Sequence, residues 1–347
     1  MAYTTIKKPS DYFDTKIYTG NGSSQTLDMD NLGLLWMKNR TEASNHCLFD
    51  SVRGGYYTSA PNPMLSTNTT GGGNGSDITS AYGITFGSSS STIGSDGGGY
   101  NYNQNGKSYV GWQWRANGTG SSNTDGSITS TVSANTTAGF SIVKYTGTNA
   151  TGTVGHGLGV APKIVLYKNL NDATYWYFTT SIIDGTHDLL LLPATDAQQP
   201  FSASLPTSSV LNLIANNDTN GSGDNIIAYC FAEKTGYSKF GIYTGNGNAN
   251  GTFVYTGFKP AFVIFKRSSG TGNWQLIDNK RLGYNVENRT FYPNSNVAEQ
   301  DEDDADILSN GFKLRGIGTD GNGSGSTYIY MAFAEEPLVG DNPATAR

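Results

Sequence analysis

The hexapeptide Phe240-Gly-Ile-Tyr-Thr-Gly245 has two counterparts earlier in the chain, Thr15-Lys-Ile-Tyr-Thr-Gly20 and Ile142-Val-Lys-Tyr-Thr-Gly147. Each is a short run of residues with high β-propensity that ends at a glycine turn. Internal similarity of this kind is typical of repeat architectures and constrains the fold of the whole chain. The three segments therefore predict three copies of one structural unit.

Further blocks follow each hexapeptide in the same order. A hydrophobic block ends in a lysine 20, 23 and 23 residues after the opening tyrosine, and a ring side chain stands eight residues after that lysine. The lysines are Lys38, Lys168 and Lys266, and the rings are His46, Trp176 and Trp274. A third block (Gly83–Phe86, Val210–Leu213, Gly311–Leu314) and a closing strand (Tyr109–Trp114, Ile227–Phe231, Ile329–Phe333) complete the copies. We therefore expect equivalent positions in three diverged copies.

The blocks predict an all-β protein. Each is a short run of β-branched and aromatic residues bounded by Gly, Asn, Pro or Ser, and no long stretch has helical periodicity. Blocks such as Ile164-Val-Leu-Tyr167 are apolar at successive positions, which favours central strands buried on both faces. The expected fold is three tandem, diverged β-sandwich modules of jelly-roll or lectin-like type.

The same blocks predict the organisation of the chain. The predicted segments are an N-terminal docking arm (1–14), module 1 (15–115), a linker that contributes a strand (116–139), module 2 (140–236), module 3 (237–336) and a C-terminal tail (337–347). Module 1 differs from the others by a Gly/Ser/Asn-rich insertion over 66–105. Modules 2 and 3 have almost no linker between them, so we expect them to be rigidly joined.

Composition and charge argue against several classes of partner. Charged residues make up 14% of the chain and the net charge is −6, with basic residues scattered, which predicts no nucleic-acid partner. No window approaches 18 apolar residues and the N-terminus lacks an apolar signal core. We therefore expect synthesis in a cytosol without insertion into a membrane. Cys47 and Cys230 are far apart and are predicted to be reduced, buried thiols. The acidic block 299–306 is predicted to be a solvated loop.

The chain offers little that resembles catalytic chemistry. Gly316–Gly321 matches the dinucleotide glycine pattern, but the residues after it predict a hairpin instead of the helix that would hold pyrophosphate. Gly106-Lys-Ser108 lacks the first glycine of a phosphate loop. His46, His156 and His187 have no spacing typical of a triad or a zinc site. We therefore assign no catalytic, cofactor-binding or metal residue and expect no enzyme, although paired carboxylates for glycoside cleavage stay open.

Two binding interpretations were weighed against structural ones. The alternating oxygen ligands of Asp218, Asn220, Ser222 and Asp224 resemble part of a calcium loop, but its glycine and closing glutamate are missing, which favours an exposed turn. The five tryptophans could stack on sugar, yet their place in strand blocks favours core packing. These are Trp36, Trp112, Trp114, Trp176 and Trp274.

Nearly the whole chain resembles a family of virion structural proteins from tailed phages of marine bacteria, cyanophages especially, often labelled tail-fibre-like. The resemblance rests on Ala2–Lys8 with Asp11–Phe13, Phe49–Gly54, Asp125–Ala134, Gly155–Pro162 and Leu308–Leu314. It implies a component of a phage particle and carries no catalytic residues over to this chain.

We accordingly expect a non-enzymatic virion structural protein, assembled in the host cytoplasm, in a tail fibre or adhesion appendage. Its expected partners are other virion proteins and host cell-surface polysaccharide or protein, with receptor-binding residues unassigned. Attachment at sites of fixed symmetry favours a homo-oligomer, a trimer above all. A capsid decoration or head-fibre protein and a polysaccharide-degrading tailspike are the alternatives.

Overall fold

The structure, a computed structural model, describes residues 4–29, 33–53, 64–72, 83–87, 90–95, 101–282, 284–339 and 343. Residues 1–3 of the predicted arm, 73–82, 88–89 and 96–100 of the insertion, and most of the predicted tail lie outside the described residues. Within the described residues, strands dominate, accompanied by a 3₁₀ helix (Pro9–Asp11) and one short α-helix, α1 (Asn217–Asn220).

The strands of module 1 and the linker are β1 (Phe13–Thr19), β2 (Gln25–Leu27), β3 (Gly33–Asn39), β4 (Cys47–Asp50), β5 (Ile84–Phe86), β6 (Ser91–Ile93), β7 (Ser108–Arg115), β8 (Ser121–Asn123) and β9 (Ser130–Asn135). Module 2 contains β10 (Phe140–Thr146), β11 (Gly152–Gly155), β12 (Ile164–Asn169), β13 (Tyr177–Thr180), β14 (Asp188–Leu191), β15 (Gln199–Pro200), β16 (Val210–Leu213) and β17 (Asn225–Phe231). Module 3 contains β18 (Ser238–Thr244), β19 (Phe253–Tyr255), β20 (Phe258–Arg267), β21 (Trp274–Asp278), β22 (Glu287–Thr290), β23 (Gln300–Leu308), β24 (Gly311–Leu314) and β25 (Thr327–Pro337).

One strand order occurs in all three modules. The opening strand pairs with the closing strand, which pairs with the lysine-bearing strand, which pairs with the strand that follows it, all antiparallel. The orders are β1-β7-β3-β4, β10-β17-β12-β13 and β18-β25-β20-β21, the second lying inside an eight-stranded sheet that β8, β9, β14 and β15 extend. The chain therefore has the all-β, sandwich-type fold that the sequence predicts.

The register of pairing also repeats. In each module the opening tyrosine and the lysine lie opposite consecutive residues of the closing strand. The pairs are Tyr18–Tyr109 and Lys38–Val110, Tyr145–Ile226 and Lys168–Ile227, and Tyr243–Tyr328 and Lys266–Ile329. Side chains alternate between the faces of a sheet, so a one-residue slip would exchange every buried side chain for an exposed one. The common spacing in the sequence follows from this common register.

Each large sheet is buried on both faces. One face packs on a small sheet of the same module (β2-β6-β5, β11-β16 or β19-β24-β23-β22) over a separate apolar core. The other face meets the corresponding faces of the other two modules in one central core, where Trp112, Tyr229 and Met331 occupy the same position of the three closing strands. This explains why β3 and β20 are apolar at successive positions. The module boundaries stay a prediction, since one core joins all three.

The seams between modules are arranged cyclically. His46, Trp176 and Trp274 each hydrogen-bond a backbone carbonyl of a neighbouring module, and the acceptors are Tyr292 (3.1 Å), Ser66 (2.9 Å) and Leu191 (3.0 Å) respectively. Each acceptor directly follows a residue that pairs with the position two residues after the ring of its own module. These pairs are Phe291 with Leu276, Leu65 with Leu48 and Leu190 with Phe178. Module 1 thus contacts module 3, module 3 contacts module 2, and module 2 contacts module 1. The chain forms a pseudo-threefold body.

Two seams also contain a buried ion pair. Asp50 pairs with Arg53 and accepts a hydrogen bond from Tyr229 of module 2 at 2.7 Å, and Asp278 pairs with Arg281 and accepts one from Trp112 of module 1 at 3.0 Å. At the third seam the closing strand carries Met331, which offers no such donor, and Thr180 and Ile183 stand in place of the acid and the arginine. A buried carboxylate needs a partner for each lone pair, so donor and acid are present or absent together.

The three lysines are almost fully buried, and Lys38 and Lys168 reach carbonyls of a neighbouring module. The ammonium of Lys168 donates to the carbonyls of Thr174 (2.7 Å) and of Thr70 in module 1 (3.0 Å), and Lys38 donates to Asn39 at 3.1 Å. Lys266 donates to the Arg267 carbonyl at 2.6 Å. Burial lowers the pKa of each ammonium to about 8, because the charged form loses its hydration.

A buried asparagine holds the turn after each opening strand. The hydroxyl of the opening tyrosine donates to the carbonyl just before Asn103, Asn220 or Asn322, and the asparagine side chain accepts from the backbone N–H three residues after the tyrosine. A Cβ on Gly20, Gly147 or Gly245 would come within 2.5 Å of a backbone oxygen next to this asparagine. The close approach explains why the opening motif ends in glycine.

Two predicted segments are built into the body. Of the arm, Ile6 lies in the central core, and Phe13 stacks on Phe333 of module 3 with ring centroids 5.4 Å apart. Residues 4–14 are therefore part of the fold and not a separate extension. The linker contributes β8 and β9, which pair side by side and extend the module 2 sheet beyond β10.

The prediction of a solvated loop over 299–306 is wrong. Residues 300–308 form β23, and Glu299, whose side chain is 8% exposed, pairs with Arg40 of module 1 (2.8 Å) and with Arg281 (3.3 Å). Asp306 pairs with Arg315 at 3.5 Å. Arg289 also pairs with Asp301 at 3.3 Å, so arginines neutralise part of the acidic block.

Candidate functional site

An open cleft of about 460 Å³ lies in module 3 between β21, β23 and the loop that follows β24. Its side chains come from Gln275 on β21, Tyr292 after β22, Glu302 on β23, and Thr319 and Asp320 on the loop. Gly316, Gly318 and Gly321 of the same loop also line the cleft. Glycines expose backbone groups, so a ligand in the cleft would reach peptide oxygens as well as side chains.

The loop of the cleft is held at several points. The Tyr328 hydroxyl donates to the Thr319 carbonyl at 2.6 Å, and the Tyr243 hydroxyl donates to the Gly321 carbonyl at 2.7 Å. The Asn322 side chain donates to the Gly316 carbonyl at 2.9 Å. Loops fixed by such bonds lose little conformational entropy on binding, which makes the cleft a pre-organised site.

The cleft is rich in hydrogen-bond acceptors. Glu302 accepts from the Tyr292 hydroxyl, and Asp320 accepts from the Asn273 amide at 2.9 Å, so each carboxylate keeps acceptor capacity. The side-chain oxygen of Gln275 is buried and has no donor within the described part of the chain. An unsatisfied buried acceptor costs about 1–3 kcal/mol. Beside the cleft, Ile317 is 68% exposed.

Module 2 is built differently at the corresponding position. Tyr177, which pairs with Tyr167, takes the position that Gln275 holds opposite Phe265, and its ring packs on apolar neighbours. The four-residue helix α1 replaces the glycine loop, with its N-terminus capped by Asn216. A bulky ring therefore stands in module 2 where module 3 has the amide that lines the cleft. The cleft distinguishes module 3 from module 2.

The match to a family model covers the whole body. The model described as "Domain of unknown function (DUF7483)" matches residues 8–337. The chain belongs to this family. The matched residues extend from before β1 to the last residue of β25, so the unit of the DUF7483 family includes the three large sheets, their three small partner sheets and the cleft. No curated protein and no solved structure matches the chain.

Most sequence-predicted candidates of this DUF7483 chain lie elsewhere. All five tryptophans are buried, in agreement with core packing. Gly316–Gly321 forms a loop without a following helix, and its last residues line the cleft. Cys47 and Cys230 are buried and are not joined in a disulfide, and burial raises the pKa of Cys230 to about 12. Within the described ranges, no helix is long and apolar enough to cross a membrane.

The residues of the possible calcium loop bind within the chain. The Asn220 side chain donates to the carbonyls of Ala150 (2.7 Å) and Ile214 (3.0 Å), and Asp224 accepts from Asn169 at 2.8 Å. Asp218 accepts from the Tyr175 backbone N–H at 2.9 Å. Among the described residues, no three His, Cys, Asp or Glu side chains converge on a common point.

The histidines hydrogen-bond backbone groups at separate places. His46 accepts a hydrogen bond from the Trp36 indole at Nδ1. Its Nε2 therefore carries the proton and donates to the Tyr292 carbonyl. His156 contacts the Thr207 carbonyl at 3.1 Å and His187 that of Ala203 at 2.8 Å. Burial lowers the pKa of all three, which favours the neutral rings.

Sequence reasoning did not single out Gln275 or Tyr292, and it assigned Glu302 to a solvated loop as part of the acidic block. The signal for the buried asparagine was present, because Asn220-Gly-Ser-Gly223 and Asn322-Gly-Ser-Gly325 both start six residues before a paired closing-strand position. No comparable pattern marks the cleft, whose side chains come from four separate segments.

Proposed function

We propose that this protein is a non-enzymatic structural protein of a phage virion, in a tail fibre or adhesion appendage, and that the cleft binds a hydroxyl-rich sugar of the host surface. The observation that carries the binding proposal is the rigid, acceptor-rich cleft with the carboxylates of Glu302 and Asp320 beside a pinned loop. The place in a virion is supported by the resemblance of the sequence stretches given above to tailed-phage structural proteins.

The chemistry of the cleft suits a sugar. Each sugar hydroxyl donates one hydrogen bond, and the carboxylates of Glu302 and Asp320 and the loop carbonyls are acceptors. Ile317 at the rim offers an apolar surface to the C–H face of a ring. The fold holds these groups on strands and on a pinned loop, as recognition of a fixed stereochemistry requires.

Binding to purified host envelope polysaccharide tests the proposal. Hydrogen bonds to charged acceptors contribute about 1.5–3 kcal/mol, so Glu302→Gln and Asp320→Asn should each weaken binding by about 10- to 100-fold in calorimetry. Asp218→Asn is the matched control, because Asp218 holds the corresponding loop position in module 2 and does not line the cleft. Its affinity should equal that of the wild type.

The same incubation separates the alternatives. Release of oligosaccharides would show that the protein is a polysaccharide-degrading tailspike and not an adhesin. Absence of binding to host polysaccharide would reject the sugar site and favour the capsid decoration. Cryo-electron microscopy of the virion with a labelled antibody would locate the protein on the particle, and labelling of the capsid alone would overturn the tail position.

A further inference from the structure

A buried carboxylate without a partner lies at the third seam, between modules 2 and 3. Asp188 is the first residue of β14, is 3% exposed, and pairs with Thr180 of β13. Thr180 takes the position of the seam acids Asp50 and Asp278. Residues directly opposite each other in a sheet place their side chains on the same face, so Asp188 lies beside this position. Its Oδ2 atom accepts no hydrogen bond from the described part of the chain.

At the other two seams the buried acid is paired with an arginine. These pairs are Asp50 with Arg53 and Asp278 with Arg281, and all four side chains are at most 1% exposed. In module 2 an isoleucine takes the position of the arginine, and no basic side chain of the described ranges acts on Asp188. An ionised carboxylate is costly to bury without a counter-charge. The third seam therefore has a buried acid and lacks the cation that accompanies it elsewhere.

The turn that leads into β14 brings two more oxygen ligands to Asp188. Asp184 and Thr186 are exposed residues of this turn, and the Thr186 hydroxyl donates to the Asp184 carboxylate at 2.6 Å. Both side chains are also within hydrogen-bonding reach of the Asp188 carboxylate. Two ionised carboxylates this close together repel each other unless a positive charge lies between them. We call Asp184, Thr186 and Asp188 the seam site, which is buried at Asp188 and open to solvent at Asp184.

We propose that the seam site binds a calcium ion, which supplies at the third seam the positive charge that an arginine supplies at the other two. Calcium takes six to eight oxygen ligands in a flexible geometry, with water among them. Two carboxylates and a hydroxyl supply part of this shell, and water completes it from the exposed side. Magnesium demands a near-octahedral shell and loses water reluctantly, so calcium fits the turn better. With two carboxylates, the site belongs to the weak calcium sites, with a Kd of about 10⁻⁴–10⁻³ M.

Calorimetric titration with calcium chloride tests the site on the full chain after treatment with EDTA. Burial raises the pKa of Asp188 to about 6, so the titration is made at pH 7.5, where the ionised form prevails. We expect one ion per chain with the affinity given above. In about 10 mM calcium the melting temperature should rise by about 2–4 °C, because the ion binds the folded chain alone. Magnesium chloride at the same concentration should give a smaller rise.

Three variants locate the ion. Asp188→Asn should weaken calcium binding at least about tenfold, and its amide can donate to Asp184, so the calcium-free variant should melt no lower than the calcium-free wild type. Asp184→Asn changes an exposed residue of the turn and should weaken calcium binding as well. Asp218→Asn is the matched control, because it removes one charge from the alternating oxygen ligands over 218–224 of the same module. It should bind calcium like the wild type.

Several results would overturn the proposal. One is a wild type that neither exchanges heat with calcium nor melts at a higher temperature in its presence. Another is calcium binding that Asp188→Asn and Asp184→Asn both leave unchanged, or that Asp218→Asn abolishes. A calcium-free Asp188→Asn variant that melts well below the calcium-free wild type would also contradict it, because the buried carboxylate would then have its partner within the chain.

Discussion

Replacing Trp274 by alanine tests whether the three sheets share one core. Trp274 is 1% exposed, and its ring centroid lies 5.0 Å from that of Phe178 in module 2. Its indole N–H donates to the Leu191 carbonyl at 3.0 Å. Truncating a buried tryptophan costs about 3–5 kcal/mol through lost burial and the cavity that remains. The orphaned carbonyl adds about 1–3 kcal/mol. We expect a loss of about 5 kcal/mol, comparable to the whole stability of many domains.

Trp274→Phe is the matched control. It keeps most of the apolar volume and removes the hydrogen-bond donor, so we expect a loss of about 1–3 kcal/mol. Urea unfolding followed by circular dichroism measures both. Because the indole bonds module 3 to module 2, the transition should stay a single step in which the modules unfold together. An alanine variant within about 1 kcal/mol of the wild type, as for an exposed side chain, would refute the buried-core assignment.

Two further predictions concern pH and the glycine turns. Burial lowers the pKa of Lys38, Lys168 and Lys266 to about 8, whereas lysines of the unfolded chain keep a pKa of about 10.4. Between these values the unfolded state binds more protons than the folded state. The free energy of unfolding should therefore rise between pH 8 and about 10, by up to about 3 kcal/mol per lysine. Urea unfolding midpoints at pH 7, 8 and 9.5 measure this rise in stability. Lys168→Met should make the rise smaller. A stability that decreases over this pH range would contradict the prediction. Gly245→Ala places a Cβ 2.5 Å from the Gly323 oxygen and should cost about 1–3 kcal/mol in the same assay. Gly318→Ala, whose Cβ meets nothing within 4 Å, should be neutral or stabilising, and equal effects of the two would show that the close approach does not matter.

The strand blocks could be predicted because their cause is local. Runs such as Pro260–Lys266 alternate with glycine turns, and both β-propensity and turn preference depend on a few neighbouring residues. The equivalence of Lys38, Lys168 and Lys266 could also be predicted, since a common register keeps a common spacing. The meaning of that spacing could not, because a lysine in an apolar strand gives no indication that its ammonium reaches a carbonyl across a seam.

The acidic block shows where local reasoning fails. Glu299 and its neighbours predict a solvated loop from their own charge, whereas residues 300–308 form a strand and Arg40 pairs with Glu299 just before it. These two residues are 259 positions apart. The cleft has the same origin, since Gln275, Glu302 and Asp320 have no common spacing and meet only after two strands and a loop have packed.

The sequence by itself determined that three copies of one strand order would form, because periodicity, glycine turns and spacing are properties of the chain. The tertiary structure decided that the copies close around one core instead of following one another as separate bodies. Each large sheet has two apolar faces and only one small sheet of its own, so its second face had to be buried against the other two modules. The sequence records the apolar faces, whereas their partners are defined only in three dimensions.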